Sequence, residues 1–495
     1  MIRTMAFPGL LNINKCNRPA FTRLFSDDKT KNPHPIRRTL ELLTNDMRKV
    51  KKFFTPSKEK HEEILEESQE QISYGNEFQT HCDVLVIGGE GVGASTAYWL
   101  KKKARQGLNV VVVERDLPHF NKACLTLPVG GLHQQFLLPE NIEMALYGAE
   151  FLRNSKEKLC VDVKFDPHGF LTLASEENAE TLRSMSQVQN EFGARTQILT
   201  PERLRLKFPW LNTEDVALGC LALEKHGWFD SNNLLSGLRD KAKEFGTHFL
   251  KAELIDFEFQ SQTDIIVEGG GTTNTYTALD KAIIKMPNGD KRSIKFAICV
   301  IAAGTNSERI ARLAKIGTGA GILQVPLPIR RRLCHGHIFG TNAINAPGLA
   351  TPCIIDLNGK YFRRDGLTGN YITGFSSCQD SDSENVPKEN HFESTVLPYL
   401  THRMKTFSKP HVTETWESSY EYNVFDENGI IGPHAYYNNL YIATGFSGLG
   451  LQLAPAVGRA ISELIIDGQF RTIDLTRLGF DRIVVDRPMF EYGLM

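Results

Sequence analysis

The chain has 495 residues, 41% of them hydrophobic and 23% charged, and its formal net charge is -1. This length exceeds one ordinary hydrophobic core and predicts two to three domains or a large two-domain protein. The balanced charge gives no indication of a nucleic-acid partner or an acidic substrate. The nine cysteines include no CxxC pair, so neither a metal site nor a disulfide framework is expected. No apolar run approaches the roughly 20 residues that span a bilayer, so any membrane association is expected to be peripheral.

The first 26 residues differ from the rest of the chain. They contain Arg3, Arg18 and Arg23, and the first acidic residue is Asp27. Basic, acid-free N-termini are typical of mitochondrial import signals. We therefore predict a mitochondrial presequence over residues 1–26 and a location on the matrix side of the inner membrane.

Residues 27–80 are predicted to form a charged helical extension or linker. One apolar stripe recurs at spacings of three or four, through Leu40, Leu43, Met47, Val50 and Phe54. The stripe favours packing within the chain over a peripheral membrane or partner helix, but both interpretations stay open.

The segment from residue 83 to residue 114 has the order of a dinucleotide-binding βαβ unit. An apolar run ends at Ile87, GGEGVG follows at Gly88–Gly93, a helical stretch comes next, and NVVVVE ends in Glu114. Glycines allow a tight turn and a close approach of backbone N–H groups to a pyrophosphate. The helix N-terminus supplies partial positive charge. Glu114 is the expected acceptor for ribose hydroxyls and disfavours NADP, because it would repel a 2′-phosphate.

Glu90 breaks the usual glycine spacing. In the register Gly88-x-x-x-x-Gly93 it occupies the second glycine position, where its charge would oppose a pyrophosphate. A shifted register, Gly89-x-Gly91-x-x-Ala94, fits the permitted G-x-G-x-x-A form. The spacing alone does not decide between the two registers.

Three later segments resemble the family of sarcosine oxidase, dimethylglycine dehydrogenase and glycine oxidase, here called the DAO family. They are Gly130–Phe136 (GGLHQQF), Val300–Gly304 (VIAAG) and Ala443–Gly450 (ATGFSGLG) followed by Leu453–Gly458. The resemblance covers about residues 82–470. It implies an α/β fold in which a Rossmann-like FAD-binding domain is interleaved with a substrate domain of antiparallel β-sheet plus helices.

The resemblance also implies domain bounds, with one oxidoreductase unit over 81–470 and a tail over 471–495. The FAD-binding parts are expected at about 80–165, 200–260, 292–320 and 430–470. The substrate parts are expected at about 166–199, 261–291 and 321–429. From the residues themselves, Thr263–Ile298, with a hairpin turn at Asn288-Gly289, is expected to join Leu327–Phe339 and Cys353–Gly374 in one antiparallel sheet.

The resemblance implies the following cofactor-binding residues: Gly88, Gly89, Gly91, Gly93, Glu114, Arg115, Gly130, Gly131, Gln134, Ala303, Gly304, Gly445, Phe446, Ser447, Gly448, Leu449 and Gly450. In this family FAD accepts a hydride from an amine C–H bond, and the protein orients the substrate. Tyr361, Arg363 and His133 are the catalytic-site candidates. A substrate carboxylate would pair best with an arginine such as Arg363, and Arg331 and Arg332 are further candidates.

His335 and His337 lie two apart on a predicted strand, but no third ligand accompanies them and no metal site is expected. FAD is expected to be non-covalent, because the resemblance gives no counterpart near Pro128 of the flavin-linking histidine of dimethylglycine dehydrogenase, and no cysteine lies near Tyr422.

Several segments are similar to one branch of the family, mitochondrial proteins that serve in the assembly of respiratory complex I. They include His226–Asp230, Phe208–Glu214, Tyr361–Leu367, Tyr422–His434 and Thr472–Leu475. The first hypothesis is therefore a flavoprotein of complex I assembly, with complex I subunits or assembly intermediates as partners.

Two alternatives stay open. The retained glycine frame and Glu114 favour the first, and departures from the family pattern favour the second. The departures are Glu90, Cys124-Leu125, Thr305–Ser307, Ser418 and Leu449. One alternative is an active FAD-dependent enzyme that oxidises the CH–NH bond of a secondary amine or N-methyl amino acid. The other is an FAD-free protein that only binds partners.

Overall fold

The computed structural model describes residues 78–115, 131–222, 224–266, 275–357, 359–375 and 391–491. The predicted presequence and nearly all of the predicted helical extension lie outside these residues, as do Cys124, Leu125 and Gly130. Residues Gln79–Met495 form one compact unit. Within the described ranges, no helix is both long and apolar enough to span a membrane.

Eighteen strands are present in the described part of the chain. Their bounds are β1 His81–Ile87, β2 Val110–Glu114, β3 Gly131–Leu132, β4 Phe170–Ala174, β5 Thr196–Leu199, β6 Leu218–Ala222, β7 Gly227–Trp228, β8 His248–Lys251, β9 Glu253–Ile266, β10 Thr275–Lys285, β11 Lys291–Ile301, β12 Ile329–Gly340, β13 Cys353–Ile355, β14 Lys360–Arg364, β15 Tyr371–Phe375, β16 His411–Asn423, β17 Ile430–Pro433 and β18 Leu440–Thr444.

The α-helices of the same ranges are α1 Gly91–Ala104, α2 Pro139–Arg153, α3 Ser155–Leu159, α4 Ala179–Glu191, α5 Pro201–Lys207, α6 Ser231–Glu244, α7 Ser307–Leu313, α8 Leu397–Arg403, α9 Gly450–Asp467 and α10 Asp481–Val484. Short 3-10 turns lie at Arg105–Gly107, Gly304–Asn306, Gly321–Gln324, Lys405–Phe407 and Thr476–Leu478, and a π-turn at Phe392–Val396.

The first sheet carries the predicted dinucleotide fold. Its strand order is β17-β18-β11-β1-β2-β8, and the pairs β18·β11, β11·β1, β1·β2 and β2·β8 are parallel. Val84–Ile87 and Val110–Val113 are buried, as expected for parallel strands covered on both faces. Helix α9 packs against α1, where a Cβ on Gly458 would lie 2.4 Å from Ser95 Oγ. The predicted α/β fold with a Rossmann-like domain is confirmed.

The predicted hairpin at Asn288-Gly289 is present, and Gly289 N donates to Met286 O over 2.9 Å. The expectation that this region joins Leu327–Phe339 in one sheet is wrong. β9 and β10 instead extend the first sheet through β11, whose N-terminal half pairs with β10 and whose C-terminal half pairs with β1. Alternation of apolar and polar residues identifies strands but does not encode which sheet they join.

The second sheet has the order β16-β12-β15-β14-β13-β4-β6-β5 and is antiparallel except for the parallel pair β13·β4. Leu171, Ile354, Phe362 and Phe339 belong to the hydrophobic cluster on one face, together with residues of α8. On the opposite face Phe170, Cys353, Tyr361 and Ile372 pack with Trp228. Trp228 lies on β7, which pairs with the short strand β3. This second face is therefore turned towards the Gly131–Phe136 segment.

Candidate FAD and substrate site

Three glycine turns lie at one edge of the first sheet. Gly88–Gly93 follows β1, Ala303–Gly304 follows β11 and Gly445–Gly450 follows β18. These three parallel strands are neighbours, so their carboxyl ends lie together. Ligands of open α/β sheets bind at this edge. The fold thus brings together three segments that are separated by more than 350 residues of sequence in total.

The packing decides the register of the first turn. Gly88 has φ of +103°, and a Cβ there would lie 2.2 Å from Ala302 O. A Cβ on Gly93 would lie 1.9 Å from Gly88 O, so Gly93 is the glycine that lets α1 approach β1. The register is therefore Gly88-x-Glu90-x-x-Gly93, and Glu90 does occupy the second glycine position, exposed at the N-terminus of α1.

Gly93→Ala is expected to destabilise the protein by about 1–3 kcal/mol, because the new methyl group must push α1 away from β1. The matched control is Gly107→Ala, since no atom lies within 4 Å of a Cβ at that position. Urea unfolding of the two variants provides the measurement. Equal midpoints for Gly93→Ala and the wild type would show that the helix–strand contact is looser than described.

Glu114 lies at the end of β2, as predicted. Its Oε2 accepts a hydrogen bond of 2.7 Å from Gly89 N, so the carboxylate stabilises the conformation of the glycine turn. A carboxylate offers about four acceptor positions, so ribose hydroxyls could still be accepted. Arg115, the next predicted residue, is exposed.

The third turn leads into α9. Gly445, Ser447 and Gly448 have φ of +84°, +49° and +93°. Phe446 is 2% exposed and packs against Gly429, so its side chain belongs to the core and only its backbone faces the turn. Leu449 packs partly buried against the same core. Ser307 Oγ bonds to Thr444 Oγ1 over 2.8 Å and joins the second turn to the third.

Glu421 was not predicted, yet it lies between the second and third turns. Its Oε2 accepts from Thr444 Oγ1 at 2.5 Å and its Oε1 from Phe446 N at 3.2 Å. A Cβ on Gly304 would lie 3.8 Å from the same carboxylate. Burial raises the pKa of this carboxyl above its ordinary value, and the hydrogen bonds from Thr444 and the backbone oppose the shift.

The Gly131–Phe136 segment brings several polar side chains together. Gln134 N donates to His226 Nδ1 at 3.3 Å, and His133 N donates to Gln452 Oε1 at 3.2 Å. Thr172 Oγ1 on the second sheet donates to Gln135 Oε1 at 2.6 Å. Neither His226 nor Gln452 was predicted as a site residue, although His226 lies in a segment that resembles the family and Gln452 follows the glycine turn directly.

Four buried polar atoms of this network have no hydrogen-bond partner in the part of the chain that the structure describes. They are Gln134 Oε1, Gln135 Nε2, His226 Nε2 and Gln452 Nε2. Leaving a buried polar group unsatisfied costs about 1–3 kcal/mol, so such clusters in native proteins usually face a ligand or ordered water.

The candidates Tyr361 and Arg363 share one face of the second sheet, and His133 lies beside Phe170 of that face. Tyr361 and Arg363 alternate onto the face of the second sheet that carries Phe170 and Cys353. The guanidinium carbon of Arg363 lies 5.3 Å from the centre of the Trp228 ring. The His133 ring lies 5.5 Å from that of Phe170.

Two glycines leave a part of this sheet face without side chains beside these residues. A Cβ on Gly374 would lie 2.8 Å from Tyr361 Oη, and a Cβ on Gly336 would lie 2.4 Å from the Trp416 ring. The aromatic rings can therefore lie across the strands. Arg363 is 7% exposed, and burial lowers its pKa, while Cys353 and Tyr361 act in the opposite direction. Burial also lowers the pKa of His133 to about 4, so His133 is neutral at pH 7.

The remaining candidates lie elsewhere. Arg331 is exposed, and Arg332 stacks on Tyr422 with its guanidinium carbon 3.2 Å from the ring centre. His335 and His337 do share a face, but it is the opposite face from Tyr361, and both stack on His391. Among the described residues, no three histidine, cysteine, aspartate or glutamate side chains are arranged to hold a metal ion.

Comparison with known proteins agrees with this architecture. The family model described as "DAO: FAD dependent oxidoreductase" matches residues 83–464. The chain belongs to this family. A Drosophila melanogaster relative, "FAD-dependent oxidoreductase domain-containing protein 1 homolog", is 52% identical over 474 residues and covers 92% of each chain.

More distant DAO relatives share less. Mouse mitochondrial dimethylglycine dehydrogenase is 23% identical over 431 residues, which are 82% of this chain and 44% of that protein. The crystal structure of L-proline dehydrogenase from P. horikoshii has a TM-score of 0.67 at 24% identity, covering 83% of this chain and 100% of the other. At 24% identity this similarity shows a shared fold.

The residues present fit the FAD of the DAO family. The turn at Gly88 and Gly93 has no room for a Cβ at either position, and the unsatisfied atoms of Gln134 and His226 lie beside the predicted flavin segment. Leu449 and Ser418 depart from the family pattern without disturbing this arrangement, since both are packed in place.

Proposed function

We propose that this chain binds FAD without a covalent bond and oxidises a small secondary amine that carries a carboxylate. The single observation that supports this proposal most is the buried Arg363, held beside Trp228 and next to Tyr361 on the face that meets the Gly131–Phe136 segment. A buried cation in a flavoprotein cleft is best used to bind an anionic group of the substrate.

When bound, FAD supplies the acceptor for two electrons and a proton from the amine C–H bond. The chain's own residues would bind and orient the substrate. Arg363 would donate paired hydrogen bonds to the carboxylate, and the Tyr361 and Trp416 rings would line the apolar side of the substrate and exclude water. His133 is neutral and buried, so it adds no second cation. Specificity for a carboxylate would therefore depend on Arg363.

Arg363→Gln is expected to lower kcat/KM for N-methyl amino acids by about 10- to 100-fold, because it removes charge-assisted hydrogen bonds worth about 1.5–3 kcal/mol. The measurement is bleaching of the flavin absorption under anaerobic conditions. Arg364→Gln is the control, since Arg364 points to the opposite face and contacts Tyr371.

The absorption spectrum before and after acid precipitation tests the cofactor itself. Flavin released into the supernatant supports non-covalent FAD, whereas a folded protein that stays colourless with added FAD would leave only the partner-binding alternative. Equal kinetics for Arg363→Gln and Arg364→Gln would contradict the substrate role of Arg363 and leave FAD binding intact.

The role in assembly of complex I at the matrix side of the inner membrane is a second proposal. Its support is the set of sequence segments shared with that branch of the family, such as Tyr422–His434. The test is restoration of complex I in cells that lack the protein. Restoration by Arg363→Gln would separate the assembly role from amine oxidation, and unchanged complex I in the deficient cells would contradict it.

A further inference from the structure

The position of Glu90 raises a problem of charge at the cofactor turn. A carboxylate at the second glycine position brings a negative charge to the place where an FAD pyrophosphate would meet the N-terminus of α1. Glu114 adds a second carboxylate at the same turn, bonded to Gly89 N. Two carboxylates and a pyrophosphate repel one another unless a cation lies among them.

Arg239 is that cation. It lies on α6, which packs against α1, and its Nε donates a hydrogen bond of 2.7 Å to Gly89 O. The carboxylates of Glu90 and Glu114 both interact with its guanidinium and raise its pKa, against the larger effect of burial, which lowers it. An arginine remains protonated in such surroundings.

One donor of this guanidinium has no acceptor among the residues that the structure describes. Arg239 Nη2 is buried and has no hydrogen-bond acceptor within the described ranges. A buried guanidinium N–H without an acceptor is costly, so a ligand that supplies an oxygen at this point would be stabilised. Pyrophosphate and ribose oxygens are such acceptors.

We propose that Arg239 is a cofactor-positioning residue of this chain, which fixes the Gly89 carbonyl, offsets the charge of Glu90 and offers its remaining donor to the dinucleotide. The inference rests on the proposed binding of FAD. It explains how a glutamate can be tolerated at a position that usually requires glycine: the cation comes from α6, 150 residues away in sequence.

The consequence is a specific coupling between two residues. Arg239→Gln should weaken FAD binding because Glu90 then repels the pyrophosphate and the donor is lost. Glu90→Gly should strengthen binding, because the repulsion and the side chain are both removed. In the double variant most of the loss caused by Arg239→Gln should disappear, since there is no longer a charge at position 90 to offset.

The experiment is a double-mutant cycle on the dissociation constant of FAD, measured by quenching of flavin fluorescence after the purified protein is stripped of flavin. We expect about a tenfold or larger increase in Kd for Arg239→Gln, and about a threefold or smaller increase when Glu90→Gly is already present. Lys243→Gln, on the exposed side of the same helix and paired with Asp240, is the control and should leave Kd unchanged.

Thermal unfolding of the flavin-free variants checks that Arg239→Gln remains folded, and Arg239→Lys provides a second, charge-preserving variant that should keep most of the affinity. The same Kd for the wild type, Arg239→Gln and the Lys243→Gln control, with all three proteins folded, would overturn the inference while FAD binding stands. An equal loss with and without Glu90 would also overturn the charge-offset role. No FAD binding by the wild type would overturn the proposed function and this inference together.

Discussion

Arg482→Ala should lower the free energy of unfolding by about 3–5 kcal/mol, the loss typical of removing one partner from a buried ion pair. Asp426 is fully buried, and it accepts two hydrogen bonds from Arg482, at 2.7 Å from Nε and 2.9 Å from Nη2. The same guanidinium donates to Leu478 O and Gly429 O. The alanine variant therefore leaves a buried carboxylate without its charge partner and several carbonyls without a donor.

The control is Arg487→Ala, an exposed arginine in the same C-terminal segment, which should change stability by less than about 0.5 kcal/mol. Replacing both partners, as Arg482→Met with Asp426→Leu, should recover much of the loss because no charge is left buried. Urea unfolding monitored by far-UV circular dichroism provides the measurement. A loss below about 1 kcal/mol for Arg482→Ala would mean that water reaches Asp426.

Acidification from pH 7 to pH 5 should destabilise the fold, with a loss of up to roughly 2 kcal/mol for each of five buried histidines. Burial lowers the pKa of His133, His391 and His434 to about 4 and that of His337 to about 3, and it lowers the pKa of His226 well below the ordinary value. Since the unfolded chain binds these protons near pH 6.5 and the folded chain does not, stability is present above pH 6.5 and is lost as the pH falls towards 4.

Two carboxyl groups act in the opposite sense. Burial raises the pKa of Glu421 and of Glu491, so the folded state binds their protons first and gains stability as the pH falls. The five histidines together have a larger effect than the two carboxyls, so the free energy of unfolding still increases with pH between pH 5 and pH 7. The measurement is the urea midpoint at half-unit steps of pH.

Substitution of one histidine tests its contribution to the pH dependence of stability. His434→Gln should flatten the slope by about one proton, about 1.4 kcal/mol per pH unit at most, although the glutamine also loses the bonds that His434 Nδ1 accepts from Tyr436 and Tyr437 N. His248→Gln, at an exposed position on β8, is the control for the same change of side chain outside the core. A pH profile that is flat for the wild type would contradict the neutral, buried state of these rings.

The sequence was sufficient for the βαβ unit, because that unit depends on local spacing. The second and third glycine turns and the candidates Tyr361 and Arg363 came from the resemblance to the DAO family. The register at Glu90 could not be decided in the same way, since two glycine patterns overlap within seven residues. Only the packing of Gly93 on Gly88 O separates them. The sheet to which β9 and β10 belong was predicted wrongly for a similar reason, because strand pairing depends on contacts between residues that are far apart in the sequence.

Arg239, Glu421 and Gln452 were also missed, and they share a property. Each acts on a turn that is contributed by a different part of the chain, across sequence separations of 150, 23 and 319 residues. Gln452 stands two residues after a predicted glycine turn, but the spacing around Arg239 and Glu421 does not mark them as site residues. The sequence did contain one signal for Arg239. An acid at Glu90, within a glycine turn that meets a phosphate, predicts a basic residue close to it in the fold.

The interleaving of the two sheets has a consequence for synthesis on the ribosome. The first sheet takes β1 and β2 from residues 81–114 but β18, the neighbour of β11, from residues 440–444. Helix α1 is covered by α9 only when residues 450–467 have been made. Until then the nascent chain exposes the apolar edge of β11 and the face of α1. Chains with such non-local contacts fold slowly and are prone to aggregate before completion. We therefore expect the first sheet to complete its folding only after residues 450–467 have left the ribosome.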